Sequence, residues 1–138
     1  MKVTVDTNVL VRAAVQDDAK QAAIASKLLK EAELVAIALP CLCEFVWVLR
    51  RVYGLTSSDA VQAIRALMAA RNVEMNRLAV EAGLKVLEAG GDFADGVIAH
   101  EGRWLGAQTF VSFDKKAVAL VSAQGEEARW LGGSSVKR

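Results

Sequence analysis

The sequence is poor in the residues that organise several common kinds of site. It has two cysteines, one histidine, one proline and one tyrosine in 138 residues. Cys41 and Cys43 with a single histidine cannot supply a four-ligand zinc site, and they offer no disulfide framework. They are expected to be buried thiols near a helix start. No stretch provides the roughly 20 nearly uninterrupted apolar residues that a membrane span needs. The most apolar one, from Leu34 to Leu49, is cut by Pro40 and carries Glu44. The opening MKVTVD has a carboxylate at position six and reads as a folding strand, not a secretion signal. A soluble cytoplasmic protein with no membrane partner is expected. A charge excess is missing too: 17 basic residues face 16 acidic ones. That balance hides a possibility. With four acids gathered in one pocket, 12 would remain against the same 17 basic residues, leaving a surface able to attract a polyanion.

What the sequence does have is core. Hydrophobic residues make up 54% of the chain, and a domain of this length buries roughly 68–70% of its unfolded surface. Neither a linker nor an internal repeat is visible, so residues 1–138 read as one domain, with about 132–138 as a flexible tail. Short apolar or β-branched runs suit strands at Lys2–Val5, Leu34–Leu39, Val73–Asn76, Gln108–Ser112 and Ala128–Leu131. Helical patterns lie between them. They start at Asn8, at Asp17 or Asp18, at Pro40, at Thr56, at Arg77, at Asp92 and at Asp114. Strands alternating with helices indicate an α/β fold with a mainly parallel central sheet of four to five strands and helices on both faces.

Four acids occupy equivalent places in this outline. Asp6 follows the first strand and Glu44 lies one turn beyond Pro40, after the second. Asp95 sits in the first turn of the helix begun by Asp92, and Asp114 follows the fourth strand. A parallel sheet brings the carboxyl ends of its strands to one edge, where open α/β sheets form their sites. Asp6, Asp92 and Asp114 also fit as helix caps, and Asp95 as a partner of the helix dipole. Glu44 is harder to explain structurally. It lies inside CLCEFVWVL, where a solvated glutamate is not expected, with no lysine or arginine within a turn. Two carboxylates about 6 Å apart repel by about 3 kcal/mol at an effective dielectric near 20. Six such pairs among four acids, roughly 17 kcal/mol, match or exceed a whole domain's stability of about 5–15 kcal/mol. The pocket must protonate or hold cations, and all-oxygen donors suit Mg²⁺ or Mn²⁺.

These residues resemble the motifs of PIN-domain nucleases: Asp6-Thr7-Asn8, then Glu44 ahead of FVWVL and Arg50, then Asp92-Phe93-Ala94-Asp95, then Ser112-Phe113-Asp114 before Lys115-Lys116. Their order and spacing are similar to those of the VapC-like toxins of toxin–antitoxin pairs, across nearly the whole chain. Ser112 departs from the threonine common there but keeps a hydroxyl. The resemblance implies a PIN-like fold and a Mg²⁺- or Mn²⁺-dependent endoribonuclease that forms homodimers and is silenced by a cognate antitoxin. Asp6 and Asp95 would be the main metal ligands, completed by Glu44 and Asp114. Asp92 is a candidate for a second metal or only a cap. Thr7, Asn8 and Ser112 would orient carboxylates or phosphate. Arg12, Arg50, Lys115 and Lys116 are candidate phosphate contacts or solvated charges. His100, five residues after Asp95, is turned away and is expected to be structural or on the surface.

Three other readings use the same residues. One is a nuclease acting on DNA or in RNA processing without a toxin role, although the chain is short for the helical gateway of a flap enzyme. A second is a phosphoacceptor receiver, which needs a middle-strand aspartate that the Val73–Arg77 segment lacks. The third is a non-catalytic antitoxin-binding protein, which a complete acid set argues against.

Overall fold

Short strands are separated by helices, with two helices between most successive strands. A computed structural model describes residues 1–132, and the expected tail lies outside the described residues except for Gly132. The described residues fall into two compact units, divided between Arg77 and Leu78.

The first unit contains β1 (Lys2–Thr4), α1 (Thr7–Val15), α2 (Ala19–Glu31), β2 (Leu34–Ala36), α3 (Leu39–Arg51), α4 (Ser57–Ala69) and β3 (Val73–Glu74). Its sheet is parallel in the order β1-β2-β3, with Val3 opposite Val35 and Val35 opposite Val73. Val35 and Val73 are buried, as the middle of a covered parallel sheet requires. Each helix begins at a physical signal. The Asp18 carboxylate accepts the Gln21 N–H at 3.0 Å to start α2. Thr56 and Asp59 form a reciprocal capping box at α4. Pro40 falls in the first turn of α3, where its missing N–H costs nothing. The Asn72 side-chain amide closes α2 by donating to the carbonyls of Leu29 and Ala32, at 2.8 and 2.9 Å. The strand expected from Leu34 to Leu39 ends at Ala36. Its apolar run continues because Leu39 already belongs to α3, so one buried stretch serves two elements.

The second unit contains α5 (Arg77–Glu88), α6 (Phe93–Trp104), β4 (Phe110–Ser112), α7 (Lys115–Ala123) and β5 (Ala128–Trp130), with α5 starting at the division itself. The two strands pair in parallel, Ser112 opposite Trp130. Gly90, at φ +98°, lets the chain turn out of α5. Close packing holds α6 on α5. A Cβ on Gly83 would stand 2.8 Å from the Phe93 ring, and one on Gly96 would run into the Ala82 carbonyl. Phe93 is buried as a result, and Asp95 is carried on a helix with little freedom to shift.

All five expected strands and seven expected helices are present, and every strand pairing is parallel. The strands hydrogen-bond as a group of three and a group of two, and they are shorter than the apolar runs suggest. Among the described residues no helix is long and apolar enough to cross a membrane.

Candidate active site

In the first unit, the turn from β1 into α1 carries Asp6, Thr7 and Asn8. Asp6 caps α1, its Oδ1 accepting the Thr7 N–H at 2.8 Å. Thr7 is buried, and its hydroxyl donates to Glu44 Oε1 at 2.6 Å. One residue therefore engages two acids, with its main chain on Asp6 and its side chain on Glu44. Cys41, one helical turn before Glu44, lies against the same hydroxyl at 3.8 Å. Burial pushes its thiol pKa up, against the lowering effect of the Thr7 bond, and the neighbouring Asp6 and Glu44 add to the rise. The thiol is thereby held neutral, which makes Cys41 a poor metal donor. Cys41 and Cys43 are half-buried, less enclosed than expected.

Glu44 corrects an expectation. It is exposed, on the same side of α3 as the exposed Trp47, while Leu42, Phe45, Val46 and Leu49 form the buried stripe. An apolar helix sequence does not bury every position on it. What makes Glu44 notable is its bond to a buried threonine on another element, not its own burial.

Asp6, Asn8 and Glu44 line a hollow of about 290 Å³ with Arg12 and Tyr53. The Arg12 guanidinium is firmly held there. It donates to Gln21 at 2.7 Å, to Asp17 at 3.1 Å and to the Tyr53 hydroxyl at 3.4 Å. The Tyr53 bond above all, and then Asp17, raise its pKa. Tyr53 in turn donates to Asp17 at 2.9 Å. Sequence reasoning missed this network, because no local pattern links residues 12, 17 and 53. Arg50 donates to the Leu55 carbonyl at 3.0 Å, so that part of its guanidinium secures the loop after α3.

In the second unit, Asp92 and Asp114 both lie near enough to Asp95 for their charges to act on it. Asp92 stands at the N-cap position of α6 but makes no side-chain capping bond. Asp114 does cap, its Oδ1 accepting the Ala117 N–H at 3.0 Å. Its own N–H donates to Ser112 Oγ at 2.9 Å, so Ser112 fixes the main chain that carries the acid. Asp95 is half-buried, and its carboxyl pKa is raised, first by burial and then by the negative charges of Asp92 and Asp114. Among the described residues no lysine or arginine forms an ion pair with any of these three. Lys115 points elsewhere, its ammonium 4.8 Å from the centre of the Trp130 ring. Lys116 is exposed. His100 lines a separate hollow of about 250 Å³, with its Nε2 buried and without a hydrogen-bond partner.

Within either unit, no three His, Cys, Asp or Glu side chains among the described residues stand close enough to grip a metal ion. The donors present are carboxylates and hydroxyls. That set fits a hard cation such as Mg²⁺, which keeps several waters and needs only one or two carboxylates from any one place. It does not fit a soft cation.

No curated protein matches the chain significantly. A family model described as the PIN domain matches residues 3–121, most of the chain and a span that includes every acid discussed above. The chain belongs to the PIN domain family, whose fold is of the nuclease type.

Proposed function

We propose that the protein is a metal-dependent endoribonuclease that hydrolyses RNA phosphodiester bonds, with Mg²⁺ or Mn²⁺ held by Asp6, Glu44, Asp95 and Asp114. The observation that carries this reading is the Asp92–Asp95–Asp114 cluster. Burial and then the charges of Asp92 and Asp114 press on Asp95 there, with no basic ion-pair partner among the described residues, and a bound cation is the usual relief for such an arrangement.

A divalent cation in this setting lowers the pKa of water and offsets charge building on the phosphate. The chain's own residues do the rest. Asp6 and Asp95 are the principal ligands, and Glu44 and Asp114 complete the set directly or through water. Thr7 holds the Glu44 carboxylate in one orientation with its 2.6 Å bond. Ser112 does the same for Asp114 through the main chain. Asp92, free of a capping bond, is available to a second cation. With His100 in a different hollow from that of Asp6 and Glu44, no histidine is assigned to proton transfer.

The motif order shared with VapC-like proteins supports a toxin role in the cytoplasm, as a homodimer controlled by a cognate antitoxin. Incubating the purified chain with single-stranded RNA and DNA of one sequence, in Mg²⁺, Mn²⁺ or EDTA, tests the activity. RNA cut only with a cation is expected; equal cutting of both polymers, or cutting in EDTA, removes the reading. Co-expression with a short reading frame found immediately upstream of the gene tests the toxin role. Recovery of growth and a stable complex are expected, and unrestrained growth of cells expressing the nuclease alone would sink it.

A further inference from the structure

Phe113 separates β4 from the fourth acid, and the residue is 75% exposed. An isolated apolar side chain on a surface needs no explanation, but this one is held in place. The Asp114 N–H donates to Ser112 Oγ at 2.9 Å. The Trp130 indole N–H donates to the Phe113 carbonyl at 3.0 Å. The Leu131 N–H donates to the Ser112 carbonyl at 2.9 Å. The loop that carries Phe113 is thus pinned on both sides while its ring stands in water.

Trp130, though itself 40% exposed, acts as a brace. The Lys115 ammonium lies over its ring at 4.8 Å. Gly132 packs so closely that a Cβ there would stand 2.7 Å from a ring carbon. With one indole engaged by the Phe113 carbonyl and the Lys115 ammonium, an exposed ring and a cation are presented on the four-residue stretch that also bears Asp114 and exposed Lys116.

We infer that Phe113 and Lys115, braced by Trp130, form a docking platform for an unpaired nucleotide of single-stranded RNA, the ring stacking on a base and the ammonium meeting a phosphate. The inference rests on the nuclease reading of Asp114. Charge complementarity selects this occupant. The ring's chain neighbours are a hydroxyl, a carboxylate and two lysines, unlike the charge-depleted core in which a protein interface buries its aromatic rings. Proteins that hold single strands pair exposed aromatic rings with cations along the backbone, and RNA is commonly recognised through bases that are free to stack. A hard cation handles phosphate but not a base, so a ring beside Asp114 supplies what the carboxylates lack.

Fluorescence anisotropy of a labelled, unstructured RNA oligonucleotide with the full chain in EDTA tests this without cleavage. Phe113→Ala is expected to raise Kd about tenfold or more, and Phe113→Trp to restore it. Lys115→Gln is expected to reduce the slope of log K against log salt by about 0.7. The platform is overturned by a well-folded Phe113→Ala chain with unchanged affinity, or by a wild-type chain that does not bind RNA. A change in sedimentation accompanying the loss also overturns it, making the ring a contact between protein copies. A chain that binds RNA through Phe113 yet cuts none with either cation upholds the platform and removes the nuclease reading alone.

Discussion

The two units handle negative charge differently. In the first, Asp6 and Glu44 are each given a hydrogen-bond donor by Thr7, which fixes the orientation of their carboxylates. In the second, Asp95 receives no such help and is pressed by burial and two like charges. One region therefore holds its acids preorganised, and the other holds them under a repulsion that an outside cation can relieve. The second should dominate cation affinity, and the first should depend more on the orientation that Thr7 gives its two carboxylates.

The largest effect should come from Asp95→Asn. The side chain keeps its size but loses the charge that concentrates the cluster's potential. Since a catalytic cation contributes several kcal/mol to transition-state stabilisation, cleavage should fall by about a thousandfold or more. Manganese affinity, measured by calorimetry, should fall with it while the far-UV spectrum stays unchanged. A mutant that retains cleavage would displace Asp95 from the site.

Thr7→Val should come next, with a loss of about 10- to 100-fold in activity, the range for groups that orient metal ligands. The isosteric valine leaves Glu44 without its donor at 2.6 Å. Thr7→Ser should recover most of the loss, whereas a purely packing role would favour valine over serine. Equal activity in all three chains would make the Thr7–Glu44 bond incidental.

How much of this the sequence showed depended on the range of the interaction. Caps are local, so Asp18 and the Thr56–Asp59 pair were readable from spacing alone. Strand ends were less so, because apolar runs such as Leu34–Leu39 mark burial and do not separate a strand from the helix that follows it. Asp6, Glu44 and Asp114 stand out by their place after strands, and Asp95 by its place in the first turn of a helix. Their distinct surroundings were not readable. The Thr7–Glu44 bond spans 37 residues and the Tyr53–Asp17 bond 36. Asp92 and Asp114 look alike as residues preceding a helix, yet only Asp114 uses its side chain as a cap. Glu44 was placed in an apolar stretch, and only the orientation of α3 reveals that it faces water.

That contrast between Asp92 and Asp114 yields a smaller effect. Asp114→Ala should cost about 1 kcal/mol of stability by removing a cap, and Asp114→Asn should cost little because asparagine caps equally well. Asp92→Ala has no capping bond to lose and also relieves Asp95, so metal-free stability should hold or rise. Urea unfolding in EDTA measures all three. A loss for Asp92→Ala matching that of Asp114→Ala would show that Asp92 caps in solution.

The smallest signal is in the pH dependence of metal-free stability. Asp95 has a higher carboxyl pKa folded than unfolded. Between those two values the folded chain binds more protons, so this group's contribution falls as pH rises through the window and is constant above it. Ordinary carboxylates bonded in the folded state contribute in the opposite direction. The Asp95 contribution is therefore isolated by subtracting the profile of Asp95→Asn from that of the wild type in EDTA. The difference should decline with rising pH above the ordinary carboxylate range and then level off. Saturating Mn²⁺ should reverse its sign, because the cation favours the ionised form. A flat difference in EDTA would mean that Asp92 and Asp114 do not press on Asp95, and the contrast between the two units would lose its electrostatic basis.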